Sequence, residues 1–431
     1  MSSEVLILLV VFVGLLILNV PVAVCIGLAT VATVACLGDV PTGYLVAQRL
    51  SNGIASFPLL AIPFFVLAGV LMGEGGMARR LIDFAASLMG RFPGGLAYVN
   101  TLTCMMFGAV SGSAAAAVSS IGGFMIPQMA TKGYTREMAV ALTATSATTG
   151  LLIPPSNIMI VYAVVAGNVS VAALFLAGVV PGMVVGLALM IASFLLSRGR
   201  KDATSAAAVA GPPLGRALLG ALPSMLLIVI VLGGILGGVF SATEASAIAV
   251  VYALILGFIY REVRLSALPS IFLRAAKTTA VVMFLVGASQ AMSWVLAYEQ
   301  VPQMVSEALI GLSSNPLMIL LLINVLLLVV GTFMDMTPAV LIFTPIFLPV
   351  VVALGMDPVH FGILMMSIVT LGGMTWPSGS AMFAVCSLMN VSIEEYSIES
   401  IPFIGAVVGL IAVLLFLPDL VLWLPKLAFG R

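Results

Sequence analysis

Four short polar segments interrupt apolar stretches of this chain, and their residue types are those that bind a small cation and an anion. The first two are Ser111-Gly112-Ser113 and the segment from Thr149 to Asn157, which contains Gly150 and Pro154-Pro155-Ser156. Each proline removes a backbone donor, and carbonyl and hydroxyl oxygens from unwound segments are suitable ligands for Na⁺. Half-helix N-termini in the same segments favour an anionic substrate. The pattern therefore predicts binding of Na⁺ together with a small anion.

The other two segments lie about 223 residues further along the chain and repeat the pattern. They comprise Gly331, Asp335, Thr337 and Pro338, then Gly373, Thr375, Pro377, Ser378, Gly379 and Ser380. A single Gly or Pro in a membrane helix usually serves packing or a kink, but matched copies at one offset favour a function. Asp335 is the strongest single candidate, because an acid within an apolar stretch is costly. Its alternative role is a cap at a hairpin tip, accepting backbone NH groups.

The composition of the chain is that of a membrane protein. Hydrophobic residues make up 62% of the sequence and charged residues 7%. Several uncharged apolar runs exceed the roughly 20 residues that cross a bilayer. The net charge is zero, so nothing indicates a nucleic-acid partner. The four cysteines lie in apolar segments without the spacing of a metal site or a disulfide framework.

Apolar spans and the residues that punctuate them predict two repeats with the same order of elements. Repeat one, residues 1–197, comprises scaffold spans within 5–76, an amphipathic arm at 77–91, a hairpin at 94–127 and a broken helix at 139–166. A linker at 198–216 leads to repeat two, residues 217–431. This repeat comprises scaffold spans within 217–297, an arm at 299–314, a hairpin at 316–349 and a broken helix at 359–388. Two local predictions accompany this plan: a loop between Asp39 and Arg49, and a role for Glu244 as a helix N-terminal cap or an interface residue.

Basic residues predict opposite orientations for the two repeats. Lys and Arg flank the polar segments of repeat one at positions 79, 80, 91, 132 and 136, whereas residues 278–425 contain neither. Because loops rich in Lys and Arg stay in the cytoplasm, corresponding loops are expected on opposite sides of the membrane. With re-entrant hairpins, each repeat crosses the membrane five times, and an odd number inverts the second copy. The predicted fold is an all-α polytopic membrane protein of two inverted-topology repeats, as in many secondary transporters.

The same segments resemble a known family. Its motifs correspond here to Ser111-Gly112-Ser113, Gly150–Ser156, Phe175–Gly182, Met334–Ala339 and Leu354–Gly362. Together they are similar to the large, DctM-like membrane subunit of tripartite ATP-independent periplasmic (TRAP) transporters, over essentially the whole chain. The resemblance implies an elevator-type importer of small organic acids in the bacterial inner membrane, with Na⁺ as coupling ion and no cofactor. It also implies two partners: a small four-helix membrane subunit on a separate chain, and a periplasmic substrate-binding protein.

Carried over position by position, the resemblance implies the residues of the site. The implied Na⁺ ligands are Ser111, Gly112, Ser113, Thr149, Gly150, Pro154, Gly331, Asp335, Thr337, Gly373, Thr375 and Pro377. The implied substrate-binding residues are Ser113, Pro155, Ser156, Asn157, Trp376, Ser378 and Ser380. One departure is Trp376, which precedes Pro377 where the family usually has two prolines. Its indole is expected to narrow the substrate cavity or stack over it, so no particular substrate, such as sialic acid or a C4-dicarboxylate, is carried over.

Three other interpretations compete with this one. A self-sufficient sodium-dicarboxylate or citrate-type carrier shares the repeat-and-hairpin plan and needs no binding protein. An intramembrane enzyme is disfavoured, because the chain has no His-Glu-x-x-His motif and its one histidine, His360, is predicted in a surface loop. A passive channel is disfavoured because the sequence shows no ring of charges and no filter motif.

Overall fold

Every regular element in the described part of the chain is a helix, as the apolar composition predicts. The computed structural model describes residues 3–38, 41–92, 94–111, 114–199, 212–313, 315–376 and 379–430. Eight helices within these ranges are long and apolar enough to cross a membrane. The predicted class, an all-α protein with many membrane spans, is therefore confirmed.

Helices α1 to α11 lead from the N-terminus to the linker. Their bounds are α1 Ser3–Ile17, α2 Val22–Leu37, α3 Thr42–Ile54, α4 Ala61–Glu74, α5 Met77–Met89, α6 Gly95–Ser111, α7 Ala114–Ala117, α8 Gly123–Thr131, α9 Arg136–Thr149, α10 Asn157–Ala166 and α11 Val171–Gly199. A 3₁₀ turn at Phe57–Leu60 leads into α4. A π-helical turn at Val118–Gly122 joins α7 to α8.

Helices α12 to α21 follow the linker in a similar order. Their bounds are α12 Leu214–Leu236, α13 Ala242–Ile259, α14 Leu268–Tyr298, α15 Val301–Leu312, α16 Pro316–Phe333, α17 Met336–Ala353, α18 Pro358–Gly372, α19 Ser380–Met389, α20 Ile393–Phe416 and α21 Pro418–Phe429. Each half thus contains one pair of helices separated by a non-helical break: α9 and α10 in the first half, α18 and α19 in the second.

Helices α2, α3, α4, α13 and α14 pack together into a unit that we call the scaffold. The most extensive contacts join α4 to α13, and α14 to α2, α3 and α4. Small residues permit these approaches: a Cβ built on Gly75 would lie 3.5 Å from the Gly257 Cα, and one on Gly287 would lie 3.2 Å from the Leu50 carbonyl oxygen. Close backbone packing of this kind stabilises helix pairs in membranes, where the hydrophobic effect does not drive association.

Helix α3 corrects one sequence prediction. A loop is predicted between Asp39 and Arg49, but the chain is helical from Thr42 to Ile54. The helix buries Leu45 in a small apolar cluster with Val295, and the Arg49 guanidinium lies 5.4 Å from the centre of the Trp294 ring. The prediction was wrong because contacts with α14, which lies far away in the sequence, stabilise this segment as a helix.

A seam of polar side chains joins α6 to α9. Asn100 donates a hydrogen bond to the Thr143 hydroxyl at 3.0 Å, and the hydroxyls of Thr101 and Ser146 lie 3.1 Å apart. All four side chains are fully buried. Because buried polar groups stabilise only when they are paired, this seam aligns α6 and α9 in one register and so positions the break that follows α9.

His360 is buried, in contrast to the surface loop predicted for it. Asp357 caps α18, its carboxylate accepting hydrogen bonds from the backbone NH of Val359 at 2.7 Å and of His360 at 3.3 Å. The helix therefore begins at Pro358 and includes His360, which is 3% exposed. Its Nε2 lies 2.8 Å from the Leu414 carbonyl oxygen. The histidine thus joins α18 to α20 from within the first turn of its helix.

The cap predicted at Glu244 is confirmed. The Glu244 carboxylate accepts a hydrogen bond from the Ser241 backbone NH at 2.8 Å, and the Ser241 hydroxyl accepts one from the Glu244 backbone NH at 3.2 Å. This reciprocal pair is a capping box. It makes Glu244 a structural residue of the scaffold.

Candidate functional site

The first break joins α9 to α10 and buries two oxygen atoms that no described residue hydrogen-bonds. α9 ends at Thr149, and α10 begins at Asn157 after Ser156 in the N-cap position. The Ser156 side chain makes no capping bond. Ser156 Oγ and Asn157 Oδ1 are both buried without a hydrogen-bond partner in the described part of the chain. Buried polar atoms are almost always paired in folded proteins, so these two adjacent oxygens indicate a ligand site.

Close backbone contact holds this break against α6. A Cβ built on Gly108 would lie 2.5 Å from the Gly150 Cα, a separation that van der Waals radii forbid, so the contact requires glycine. Thr149, the residue before Gly150, is 1% exposed, and its hydroxyl donates a hydrogen bond to the Ser146 carbonyl at 2.5 Å. A hydroxyl that donates its proton keeps its lone pairs for a cation.

The second break, between α18 and α19, is held in a related way. A Cβ built on Gly372 would lie 2.6 Å from the Gly331 Cα, at the end of α16. The Thr375 hydroxyl donates to the Gly372 carbonyl at 2.9 Å. The fully buried Tyr396 donates from its hydroxyl to the Met374 carbonyl at 3.0 Å. Backbone contacts and one tyrosine therefore fix this break.

The structure describes the end of the second hairpin in full and the end of the first only in part. In the first, Ser111 ends α6, and Gly112 and Ser113 lie outside the described residues. In the second, Asp335 occupies the N-cap position of α17 but makes no side-chain capping bond. Its exposed side chain borders a cavity, as does Thr337 two residues later.

This cavity, of about 510 Å³, is lined by the first break, by the helices that follow the two breaks and the second hairpin end, and by the scaffold. Its wall includes the first or second residues of three helices that follow an interruption: Asn157 of α10, Met336 of α17 and Ala381 of α19. Scaffold helices α4 and α14 also contribute to the wall, with residues such as Gly73 and Val282. Because the N-terminus of a helix carries partial positive charge, three such ends around one cavity favour an anionic ligand.

The structure brings some of the predicted residues to the cavity and leaves others away from it. Asn157, Asp335 and Thr337 line it. Thr149, Gly150, Pro154, Pro155, Ser156, Gly331, Gly373 and Thr375 belong to the breaks and hairpin end but not to the cavity wall. Pro377, Ser378 and the side chains of Ser111 and Ser380 lie outside the described part of the chain.

Trp376 does not take the position expected of it. Its side chain is 68% exposed and does not line the cavity. The expectation that this ring narrows the cavity is therefore not met in the structure.

Several polar residues of the cavity wall were not singled out by the sequence, and three of them bear on its chemistry. Glu74 and Arg274 lie on the scaffold and form an ion pair of 2.9 Å, and Ser120 lies in the π-helical turn of hairpin one. Single π-helical turns often mark functional positions. Glu74 and Arg274 have no counterparts in the repeat and stand at the ends of spans, where charged residues are ordinary. Only the packing of α4 against α14 shows that they share a cavity.

Contacts across the two halves of the chain complete the site. The buried Tyr162 of α10 donates from its hydroxyl to the Pro358 carbonyl at 2.6 Å. A Cβ built on Gly362 would lie 2.5 Å from the Tyr162 ring. Helix α10 also packs along α17, and α19 packs against α9 and the π-helical turn. The second part of each broken helix therefore contacts the hairpin of the other half.

Fold and site together define a class: a multi-span helical membrane protein in which interrupted helices from both halves of the chain border one cavity. Residues 9–420 match the family described as "Tripartite ATP-independent periplasmic transporter, DctM component". The chain belongs to this family, and the resemblance drawn from its motifs is confirmed.

Three relatives are similar along most of the chain. YgiK of Salmonella typhimurium, described as an uncharacterized protein, is 44% identical over 96% of this chain and 96% of its own length. The isethionate TRAP transporter permease protein DctMQ of Oleidesulfovibrio alaskensis is 39% identical over 94% of this chain and 63% of its own length. The C4-dicarboxylate TRAP transporter large permease protein DctM of Vibrio cholerae is 36% identical over 97% of this chain and 96% of its own length.

A solved structure supports the fold. The YdaH transporter of Alcanivorax borkumensis, whose crystal structure is described as having an unusual topology, matches with a TM-score of 0.65. The match covers 87% of each chain at 14% sequence identity. At this identity the similarity concerns the arrangement of helices alone.

Proposed function

We propose that this chain is the permease subunit that carries a small organic acid across the bacterial inner membrane, driven by Na⁺. The observation that carries the proposal is the pair of buried oxygens without a hydrogen-bond partner, Ser156 Oγ and Asn157 Oδ1. They lie at the start of α10, beside a cavity that is bordered by the N-termini of three helices. The oxygens suit a cation, and the helix ends suit an anion.

Na⁺ fits the first break on chemical grounds. Its ligands in unwound helices are hydroxyl, amide and carbonyl oxygens. Ser156 Oγ, Asn157 Oδ1 and the Thr149 hydroxyl supply such oxygens in a buried segment. The second break offers Thr375 and the carbonyls around Gly373, and the second hairpin end offers Asp335 and Thr337. With Na⁺ bound, these residues would be ordered and the anion site completed.

The substrate class follows from the charge around the cavity and from the relatives. Isethionate and C4-dicarboxylates, named for two of the similar permeases, are both small organic anions. The cavity volume of about 510 Å³ is within the range of small-molecule sites, roughly 300–1,000 Å³. A small carboxylate or sulfonate therefore suits this site in size and charge.

Transport by an elevator motion is part of the proposal. The moving unit would comprise both hairpins and both broken helices, sliding against the scaffold. Support comes from the matched contacts Gly108–Gly150 and Gly331–Gly372, which join hairpin to break within each half. Support also comes from the Tyr162–Pro358 hydrogen bond, which joins the two halves of that unit. The inverted orientation of the two repeats belongs to the same proposal.

Two partners complete the proposed transporter. The family description names a tripartite, periplasmic system, so we propose that a periplasmic binding protein delivers the acid. A small four-helix membrane subunit would be the third component. The DctMQ relative is consistent with this, because the region it shares with this chain makes up 63% of its own length.

Uptake into proteoliposomes tests the proposal. The chain and its small subunit would be reconstituted together, and uptake of labelled organic acids measured with an inward Na⁺ gradient, with K⁺ replacing Na⁺ as the control. Uptake that requires both Na⁺ and the binding protein is expected. Uptake that requires Na⁺ alone would favour the self-sufficient carrier, and uptake independent of Na⁺ would overturn sodium coupling.

A further inference from the structure

The scaffold ion pair between Arg274 and Glu74 supplies a guanidinium. The residues proposed above to bind Na⁺ and the substrate include no such cation. We propose that Arg274 is a binding residue for the anionic group of the substrate, and that Glu74 occupies its guanidinium when the anion is absent. This inference rests on the proposed function, since it concerns the same cavity. It assigns to the scaffold a direct contact with substrate.

The geometry places both residues on the cavity wall. Arg274 lies in the second turn of α14, Glu74 is the last residue of α4, and the Arg274 Nη2 to Glu74 Oε1 distance is 2.9 Å. Both residues line the same cavity as Asn157 and Asp335. Thr278, one helical turn after Arg274, also lines it. The pair is thus within one continuous space with the proposed Na⁺ and anion sites.

The charges around the cavity require a cation for an anionic substrate. The ionisable residues that line it in the described part of the chain are Glu74, Asp335 and Arg274, two acids against one base. An incoming carboxylate is repelled by the acids, and Arg274 is the fixed cation that offsets them. A guanidinium has five donors in a planar fork that matches carboxylate or sulfonate oxygens. The ion pair with Glu74 uses one of its nitrogens, so the fork retains donors for a second anion.

A purely structural role does not account for the pair. The Arg274 and Glu74 side chains are 54% and 49% exposed, and ion pairs so accessible to solvent contribute little to stability. The helices that carry them are already joined by extensive packing between α4 and α14. An exposed pair between acid and base can instead exchange: the substrate anion replaces the Glu74 carboxylate on Arg274 and is later replaced by it.

The position of the pair indicates the step at which it acts. Glu74 is followed within a few residues by Arg79 and Arg80, and the Arg80 guanidinium lies 3.5 Å from the centre of the Tyr260 ring at the end of α13. Arg261 and Arg264 follow Tyr260. Basic residues gathered at one end of a bundle mark its cytoplasmic side. Arg274 would therefore meet the anion on its way out of the cavity into the cytoplasm.

Four variants test the inference in the reconstituted transporter. They are Arg274→Gln, Arg274→Lys, Glu74→Gln and, as matched control, Lys277→Gln, which removes a basic side chain of α14 that does not line the cavity. Counterflow of labelled succinate and of labelled isethionate would be measured in preloaded vesicles, with thermal unfolding of each variant alongside. The half-saturating acid concentration and the Na⁺ dependence are the readouts.

Neutralising Arg274 and neutralising Glu74 are expected to change the half-saturating acid concentration in opposite directions. Arg274→Gln should raise the half-saturating concentration by about tenfold, the loss of one charge-assisted contact, with unchanged Na⁺ dependence. Arg274→Lys should recover part of the affinity. Glu74→Gln should lower the half-saturating concentration, because the competing carboxylate is gone, and Lys277→Gln should resemble the wild type.

Two outcomes would overturn the inference, and they are distinct from failure of the proposed function. Equal losses of substrate affinity in Arg274→Gln and Glu74→Gln, with lower unfolding temperatures, would show that the ion pair only stabilises the packing of α4 against α14. Wild-type behaviour of Arg274→Gln would show that the guanidinium does not contact the anion. If the wild-type transporter moves neither acid, the proposed function fails for these substrates and the inference falls with it.

Discussion

Gly108 and Gly150 touch through their backbones, and this contact joins a hairpin helix to the first break. A Cβ on Gly108 would lie 2.5 Å from the Gly150 Cα, far inside ordinary contact distance. The polar seam between Asn100 and Thr143 holds the same two helices in register. The end of α6 and the end of α9 therefore form one rigid corner, at which the buried oxygens of the first break are presented.

Gly108→Ala should destabilise the protein by about 1–3 kcal/mol, because the added methyl group forces two backbones apart. Thermal unfolding of the purified protein in detergent measures this. Gly123→Ala is the matched control: Gly123 lies in the same hairpin, and a Cβ there meets nothing within 4 Å. That control should be neutral or more stable by up to about 1 kcal/mol, the helix propensity difference. Equal unfolding temperatures for the two variants would contradict the close contact.

How far the site follows from sequence depends on the range of the interactions. The helix ends at Thr149 and Gly372 lie beside residues that break helices locally, the glycines and prolines of each break. These residues end a helix through their own backbone conformation. The sequence alone therefore indicates where the helix is interrupted and where backbone and side-chain oxygens become available to a ligand. The capping box at Ser241 and Glu244 is local in the same way.

Features that depend on packing between distant segments were not predicted. The helix at Thr42–Ile54 exists because α14 covers it, and the burial of His360 depends on α20. The ion pair of Glu74 and Arg274 joins residues 200 positions apart. No spacing rule links such residues, since only the assembled scaffold brings them to one cavity.

Tyr162→Phe should weaken the connection between the two halves of the proposed moving unit. The Tyr162 hydroxyl donates to the Pro358 carbonyl at 2.6 Å, and the ring is fully buried. Removing a buried hydrogen bond of this kind costs about 1 kcal/mol, and thermal unfolding in detergent measures the loss. Tyr44→Phe is the control, because Tyr44 is 68% exposed and its hydroxyl should contribute nothing. A loss in the control as large as in Tyr162→Phe would contradict the assignment.

Tyr396→Phe should loosen the second break. The Tyr396 hydroxyl is the side-chain donor to the Met374 carbonyl, at 3.0 Å. Without it, a buried carbonyl loses a partner at a cost of about 1–3 kcal/mol. If the second break binds Na⁺, the half-activating Na⁺ concentration for uptake should rise. Tyr298→Phe, at a tyrosine that is 53% exposed, should leave it unchanged.

An unchanged Na⁺ requirement in Tyr396→Phe, together with a lower unfolding temperature, would show that the second break is structural and does not bind the ion. An unchanged unfolding temperature would instead contradict the hydrogen bond itself. The two readouts therefore separate the stability of the break from its proposed function.

Asn157→Ala should strongly reduce uptake while leaving the protein as stable as before, or more so. Asn157 Oδ1 is buried and has no hydrogen-bond partner among the described residues, so its removal takes away a desolvated polar atom without breaking a protein contact. Residues of functional sites often lower the stability of the folded protein compared with an apolar replacement. Loss of a Na⁺ or substrate contact should lower the uptake rate by about tenfold or more. Asn168→Ala, at an exposed asparagine just after α10, is the control, and normal uptake by Asn157→Ala would remove the first break from the ion and substrate site.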